Sequence, residues 1–258
     1  MSYNTVLVTK EETIGFITLN RPEANNTFTI ELATELNAAL LDLEQDTSIH
    51  VIVINANGKN FCTGIDVNYV DGKSHAEYVE WSALMGQMNL TIAHMGKPVI
   101  ASVHNIAVAN GVGIVAACDL AIASETARFG ATAVNIGLFC MGPAVPLLRN
   151  IGRKRTLEMI MTGDLISSNE ALNMGLINRV VPAEKLREET VKYAKKLADK
   201  SPLALQAGKK SFYKMEDLTL GQALDLTDNH FATLATTEDG QEGVKAFFEK
   251  RKPNYKGK

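Results

Sequence analysis

Cysteine is scarce in this chain: three in 258 residues, at Cys62, Cys118 and Cys140. None lies in a Cys-x-x-Cys motif, so the spacing suggests neither a disulfide framework nor a zinc site. Excess charge of either sign is also missing, with 26 basic against 29 acidic residues and a net charge of −3. That balance excludes a strongly basic nucleic-acid binder. No apolar run approaches the roughly 20 residues of a membrane helix, so no membrane partner is expected. The N-terminal Met1-Ser-Tyr-Asn-Thr5 lacks a basic region followed by an apolar stretch, and a reducing cytoplasm is the expected location. No Gly/Ser linker or low-complexity tract marks a domain boundary. The chain does hold 46% hydrophobic and 21% charged residues, near the average of globular domains.

Short β-rich runs alternate with longer helical ones. Val6–Val8 and Ile14–Leu19 read as strands joined by a hairpin turn at Lys10–Thr13. Ile30, Leu32, Leu36, Leu40 and Leu43 recur at helical spacing, which predicts a helix over Thr29–Asp46 with Thr29 as N-cap. The β-branched run His50–Asn55 reads as a buried strand. A helix over Glu77–Met95, a strand at Val99–Val103, a short helix at Gly111–Ala117 and a strand at Asp119–Ser124 follow. From Gly152 onward helix dominates, over Arg153–Gly163, Ser168–Met174, Ala183–Lys200, Leu203–Lys214 and most of Asp217–Lys252. Strands alternating with helices imply an α/β core, and the helical last quarter packs outside it or against a partner.

Three segments can carry chemistry. Lys59-Asn-Phe-Cys-Thr-Gly-Ile-Asp66 follows a buried strand, and its plainest reading is a strand-end loop. Asn105-Ile-Ala-Val-Ala-Asn-Gly-Val-Gly-Ile-Val-Ala-Ala-Cys-Asp119 follows another and opens an apolar helix. A Gly-rich helix start exposes backbone N–H groups at the positive end of the helix dipole, suited to an anion or developing oxyanion. The alternative is that Gly111 and Gly113 only permit tight packing. The same glycines match a dinucleotide fingerprint loosely, but they sit well beyond the strand rather than in the first tight turn. The third segment, Glu125–Pro143, is apolar and Gly-punctuated, with no carboxylate between Arg128 and Arg149. The five histidines lack metal-ligand spacing. His104, near the Gly-rich turn, reads as a hydrogen-bonded structural histidine. Cys140 has no neighbouring base and reads as packing.

In order and spacing these segments resemble the crotonase, or enoyl-CoA hydratase/isomerase, superfamily. The carriers are Leu19-Asn-Arg-Pro22, Phe61-Cys-Thr-Gly-Ile-Asp66, Lys97-Pro98, the Gly-rich turn ending in Cys118-Asp119, and Ala127-Arg-Phe-Gly130. Leu157-Glu-Met-Ile-Met-Thr-Gly163, Ala171–Leu176 with Val180-Val181-Pro182, and Glu242–Pro253 extend the match over nearly the whole chain. The resemblance implies an α/β spiral of ββα repeats as the acyl-CoA-binding core over residues 1–195. Residues 196–258 become a helical oligomerisation region, assembling a homotrimer or a dimer of trimers. It implies an acyl-CoA thioester as substrate, with coenzyme A as part of that substrate and no separate cofactor or metal. The backbone N–H groups of Ile65 and Asn110 become the oxyanion hole, where Asn110 replaces the usual Gly. Arg21, Ala24, Asn25, Gly64, Asp66, Gly111, Phe247 and Lys250 fall at substrate- or coenzyme-binding positions, the last two sometimes reaching a neighbouring subunit.

The same resemblance exposes a departure. Hydratases of this family use two glutamates to activate water and deliver a proton. Those positions are Gly113 and Ala133 here. Phe129-Gly-Ala-Thr-Ala-Val-Asn-Ile-Gly-Leu-Phe-Cys140 is similar to a hydratase-like subgroup that also lacks both. Thr132 and Asn135 remain as candidate polar contacts to the acyl group. Three activities stay open: hydration or isomerisation, decarboxylation of an acyl-CoA, and acyl-CoA binding without turnover.

Overall fold

The computed structural model describes residues 3–258. The first hairpin pairs β1 (Val6–Glu11) with β2 (Ile14–Leu19) in antiparallel register, Glu11 opposite Ile14. β1 runs three residues beyond the predicted Val6–Val8, so the turn tightens to Glu12–Thr13, with Glu12 at φ 53°. Next come α1 (Ile30–Gln45), β3 (Val51–Ala56), α2 (His75–His94), β4 (Val99–Val103), β5 (Ile106–Val108) and α3 (Asn110–Ala117). β6 (Leu120–Ser124), β7 (Arg128–Gly130), α4 (Met141–Thr162), β8 (Ile166–Ser167), α5 (Ser168–Met174) and β9 (Arg179–Val181) complete the spiral. The tail holds α6 (Leu186–Ala198), α7 (Pro202–Met215), α8 (Leu220–Ala235) and α9 (Glu238–Glu249).

The large sheet has the order β1-β2-β3-β4-β6-β9, parallel from β2 onward. A small sheet, β5-β7-β8, forms a second layer. Isolated parallel bridges extend that layer, Cys62 against Ala107 and Phe28 against Ile65. Each turn of the spiral therefore lays a strand in the large sheet, a short extended segment in the second layer, and a helix. This is an α/β spiral with a helical C-terminal region.

Alternation along the buried strands places the core. Ile52 and Ile54 of β3 join Leu32, Leu36 and Leu40 of α1 and Ile92 of α2 on one face. Val51 and Val53 face the other way, with Phe16, Ile100 and Ile122, and are covered by Leu186 and Ala194 of α6. Successive β-strand side chains point to opposite faces, so a parallel sheet needs both faces covered. Residue 195 lies inside α6. The expected boundary there cuts a core helix, and the peripheral helices begin with α7.

Caps explain several element ends. The Thr29 side chain accepts the Leu32 N–H. Ser74 forms a capping box with Glu77, which starts α2 two residues before the predicted Glu77. Buried Lys97 donates to the carbonyls of Leu43, Glu44 and Asp46, closing the C-terminus of α1. α4 starts at Met141, far earlier than the predicted Arg153, and Gly152 at φ 74° divides it. The second half is the predicted helix. The first carries Pro143 in its first turn, where a proline costs no intrahelical hydrogen bond.

Asp119 anchors the tail. Its carboxylate accepts the Val99 N–H at 2.7 Å, the Lys209 ammonium at 2.7 Å and the Tyr213 hydroxyl at 2.9 Å. Lys209 also donates to the Lys97 carbonyl at 2.9 Å. The Cys118-Asp119 motif thus ties α7 to β4 and β6.

Candidate functional site

The second layer presents the site. Phe28 bonds to the residues flanking Ile65, its N–H to the Gly64 carbonyl at 2.7 Å and its carbonyl to the Asp66 N–H at 2.9 Å. In such a parallel bridge the N–H of Ile65 points away from Phe28. On the next turn of the spiral, Ala109 leaves β5 at φ 49°, ψ −113° and turns the chain into α3. Asn110 is the first helical residue, where an N–H has no intrahelical partner. Neither the Ile65 nor the Asn110 N–H donates to a protein acceptor among the described residues. The positive φ that a glycine would ordinarily take falls on Ala109, so Asn110 sits in regular helix. A non-glycine residue in that region stores about 1–3 kcal/mol of strain.

Two glycines let these strands approach. A Cβ on Gly111 would overlap the Cys62 carbonyl oxygen, and one on Gly64, at φ 98°, would lie 2.8 Å from the Ala109 Cβ. Ile65 and Asn110 are thereby brought to one cavity of about 540 Å³. Gly113, Ala133 and Cys140 line it as well, as do Tyr78, Trp81, Met85, Met88 and Asn89 of α2. The cavity lining contains no Asp, Glu, His, Lys or Arg. The two positions expected to hold glutamates in hydratases therefore face the same space as the two donors. A Cβ on Gly113 would lie 3.3 Å from the Pro143 ring, so the start of α4 packs where a longer side chain would begin.

Cys140 is buried at the N-cap of α4, and burial pushes its thiol pKa up, opposed by a backbone hydrogen bond from Ala133. It lines the cavity, and a raised pKa leaves it little of the reactive thiolate. His104 lies at the end of β4 and its Nε2 donates to the Gly58 carbonyl at 3.0 Å. Burial lowers its pKa. His104 does not line the cavity.

Arg21, Ala24 and Asn25 form a short turn beside Gly64–Asp66. Asn25, at φ 50°, accepts the Thr63 N–H on its carbonyl at 3.2 Å and the Asn60 amide on its side chain at 3.0 Å. Arg21 lies 3.8 Å from Asp66, whose carboxylate also caps the 3₁₀ turn Val67–Tyr69. Buried Asn26, absent from the candidates, holds this loop. It donates to the Asn57 and Asn60 carbonyls and accepts the Arg21 N–H. Only its position in the Arg-Pro-x-x-Asn-Asn run could have signalled that role.

Of the candidates only Ile65 and Asn110 line the cavity; Arg21, Ala24, Asn25, Gly64, Asp66 and Gly111 lie off its lining in the adjoining segments, and four lie elsewhere. Thr132 and Asn135 do not line the cavity. The Asn135 amide is directed at the Gly163 carbonyl, 3.3 Å away, because the 3₁₀ turn Thr132–Ile136 packs that side chain against the end of α4. Phe247 and Lys250 lie at the end of α9, off the cavity, with Phe247 78% exposed. Within one chain neither reaches the donors.

Residues 9–258 match the family model described as enoyl-CoA hydratase/isomerase. The chain is 37% identical over 245 residues to the mitochondrial enoyl-CoA hydratase domain-containing protein 3 of Rattus norvegicus, covering 95% of this chain and 82% of that protein. The crystal structure of a Mycobacterium smegmatis enoyl-CoA hydratase superposes with a TM-score of 0.95 at 36% identity, over 98% of this chain and 99% of that one. The human enoyl-CoA hydratase domain-containing protein 3 superposes with a TM-score of 0.94, also at 36% identity, over 98% of this chain and 100% of that one. Spiral topology, crossing glycines and whole-length similarity agree, and the chain belongs to the enoyl-CoA hydratase/isomerase family.

Proposed function

We propose that the protein binds an acyl-CoA thioester with its carbonyl oxygen between the Ile65 and Asn110 N–H groups, and there stabilises the enolate. One observation carries this reading: two backbone donors without a protein acceptor border one apolar cavity. Fixed donors in a water-poor site favour charge as it develops, and loss of one such donor costs about 3 kcal/mol of barrier. The N-terminus of α3 adds its positive dipole end. The turn at Arg21, Ala24 and Asn25, with Gly64 and Asp66, borders the entrance used by coenzyme A, and Gly111 keeps the crossing open.

The cavity wall decides what the enolate can come from. Hydration needs a base for water and an acid for the α-carbon. Gly113 and Ala133 supply neither, and the only titratable side chains in the wall are Tyr78 and Cys140. This favours a second reading, decarboxylation. There the bond from the α-carbon to the carboxylate breaks, CO₂ leaves, and the electron pair becomes the same enolate without a base. Incubating the purified protein with crotonyl-CoA and with methylmalonyl-CoA separates the two. Hydration at ordinary enzymatic rates supports hydratase chemistry and shows that the glutamates are dispensable. CO₂ release alone supports decarboxylation. Tight binding of both without turnover supports an acyl-CoA-binding protein. No binding of either overturns the acyl-CoA reading.

We also propose that α8 and α9 pack against other copies of the chain in a trimer or dimer of trimers. Leu220, Phe231, Phe247 and Phe248 present large apolar surfaces to solvent in the single chain, more than an isolated surface normally leaves uncovered. In that assembly Phe247 and Lys250 would meet the coenzyme of a neighbour. Light scattering on the purified protein gives the mass, and a monomer would contradict the assignment.

A further inference from the structure

Helix α2 carries a glycine, Gly86, where neither the backbone nor the packing requires one. It lies inside the helix and takes no positive φ. Leaving aside the adjoining helix, the one heavy atom of the described residues within 4 Å of a Cβ built there is Asn89 Nδ2, at 3.9 Å. Gly111 and Gly113 differ, because a Cβ at those positions meets the Cys62 backbone or the Pro143 ring. Glycine is the poorest helix former after proline, since its backbone loses the most freedom on folding. Gly86 therefore weakens α2 without answering any local structural need.

The open space beside it belongs to the cavity. Gly86 is half-buried and lines that cavity. Ser82, four residues before it, and Asn89, three residues after it, line it as well, which centres position 86 on the cavity-facing stripe of α2. Met85 and Met88 flank it at buried positions, and their flexible thioether chains adapt to whatever lies beside them. The volume of about 540 Å³ falls in the range that encloses a drug-sized ligand, more than an acetyl group fills. The lining holds no Asp, Glu, His, Lys or Arg, so methylenes entering it exchange water for a largely apolar wall.

We propose that Gly86 is a specificity-determining residue: by withholding a side chain it leaves depth in the cavity for an acyl chain of medium length in preference to a short one. The proposal rests on the acyl-CoA reading above and sharpens its substrate class. A leucine at this position would put its own carbons where the far end of such a chain lies.

The test is calorimetric binding, which needs no turnover, of acetyl-, butyryl-, hexanoyl- and octanoyl-CoA to the full-length protein. Burying one methylene strengthens binding by about fourfold, so affinity is expected to climb along the series. Gly86→Leu should weaken octanoyl-CoA by about tenfold or more, the loss of several buried methylenes, and leave acetyl-CoA nearly unchanged. Gly86→Ala improves helix propensity and meets nothing closer than 3.9 Å, so it keeps the fold and should show the same selective loss at a smaller size. A flat series in the unaltered protein, or equal loss of acetyl- and octanoyl-CoA in the variants, overturns the role of Gly86 while leaving the acyl-CoA reading intact. A series unchanged in both variants overturns it as well. Binding of no ester by the unaltered protein overturns both readings.

Discussion

Gly111 crosses Cys62 so closely that a Cβ at 111 would lie 3.0 Å from the Cys62 carbonyl carbon and overlap its oxygen. The first turn of α3 and the segment leading to Ile65 are held together at this crossing. Gly111→Ala must push backbone from backbone, and overpacking of this kind costs about 1–3 kcal/mol. Gly113→Ala meets only the Pro143 ring at 3.3 Å and should cost less than about 1 kcal/mol. Urea unfolding of the two variants measures the difference. Acyl-CoA affinity should fall only for Gly111→Ala.

Ala133→Glu is expected to introduce proton-transfer chemistry. The position is half-buried and lines the cavity. A carboxylate there can exchange the α-proton of a bound acyl-CoA, and a positioned base contributes about a hundredfold or more. Deuterium exchange at the α-carbon, followed by NMR, should accelerate by at least that factor. Gly113→Glu should give no such gain without displacing Pro143.

The thiols should be inert. Burial pushes Cys62 up to about 12 and raises Cys118 and Cys140 as well. A raised thiol pKa leaves less thiolate at a given pH, and thiolate is the reactive form. Titration with an aromatic disulfide at pH 8 should find no fast-reacting thiol in the native protein. All three cysteines should react once it is denatured.

Acid should loosen the C-terminal tail first. Glu242 accepts from Arg251 and from the Asn254 N–H, which lower its pKa from 4.5 to about 2. A depressed carboxylate contributes its stabilisation above the unfolded value and loses it as pH falls through the folded one. Between pH 4.5 and about 2, the protection of the amides of residues 250–258, taken relative to their intrinsic exchange rates, should therefore fall. Glu242→Gln should show the faster exchange already at neutral pH.

Truncating Asp119 should detach α7. Burial alone raises the Asp119 pKa and lowers that of Lys209, while each charge favours the ionised form of the other. Removing one partner of a buried pair strands the other, at about 3–5 kcal/mol. Asp119→Ala should lose about that much in denaturant titration.

Much of this was readable from residue order. Thr29 announced α1, the β-branched run announced β3, and the Gly-rich turn announced α3. The short strands β5, β7, β8 and β9 were not readable, because two or three residues carry no periodicity. Their pairing is set by neighbouring turns of the spiral. The first half of α4 was hidden by Pro143 and Pro146, residues that ordinarily argue against helix. Within the site, Ile65, Asn110, Gly113 and Ala133 came to line one cavity. Asn135 did not, since a five-residue 3₁₀ turn rotates it onto Gly163.

The central claim is that the Ile65 and Asn110 N–H groups together grip a thioester oxygen. Isotope-edited infrared spectroscopy of acyl-CoA labelled with carbon-13 at the thioester carbonyl reads this directly. Two hydrogen bonds at the oxyanion hole predict a carbonyl stretch moved to lower frequency on binding. A band at its aqueous position when the protein is saturated would contradict the account.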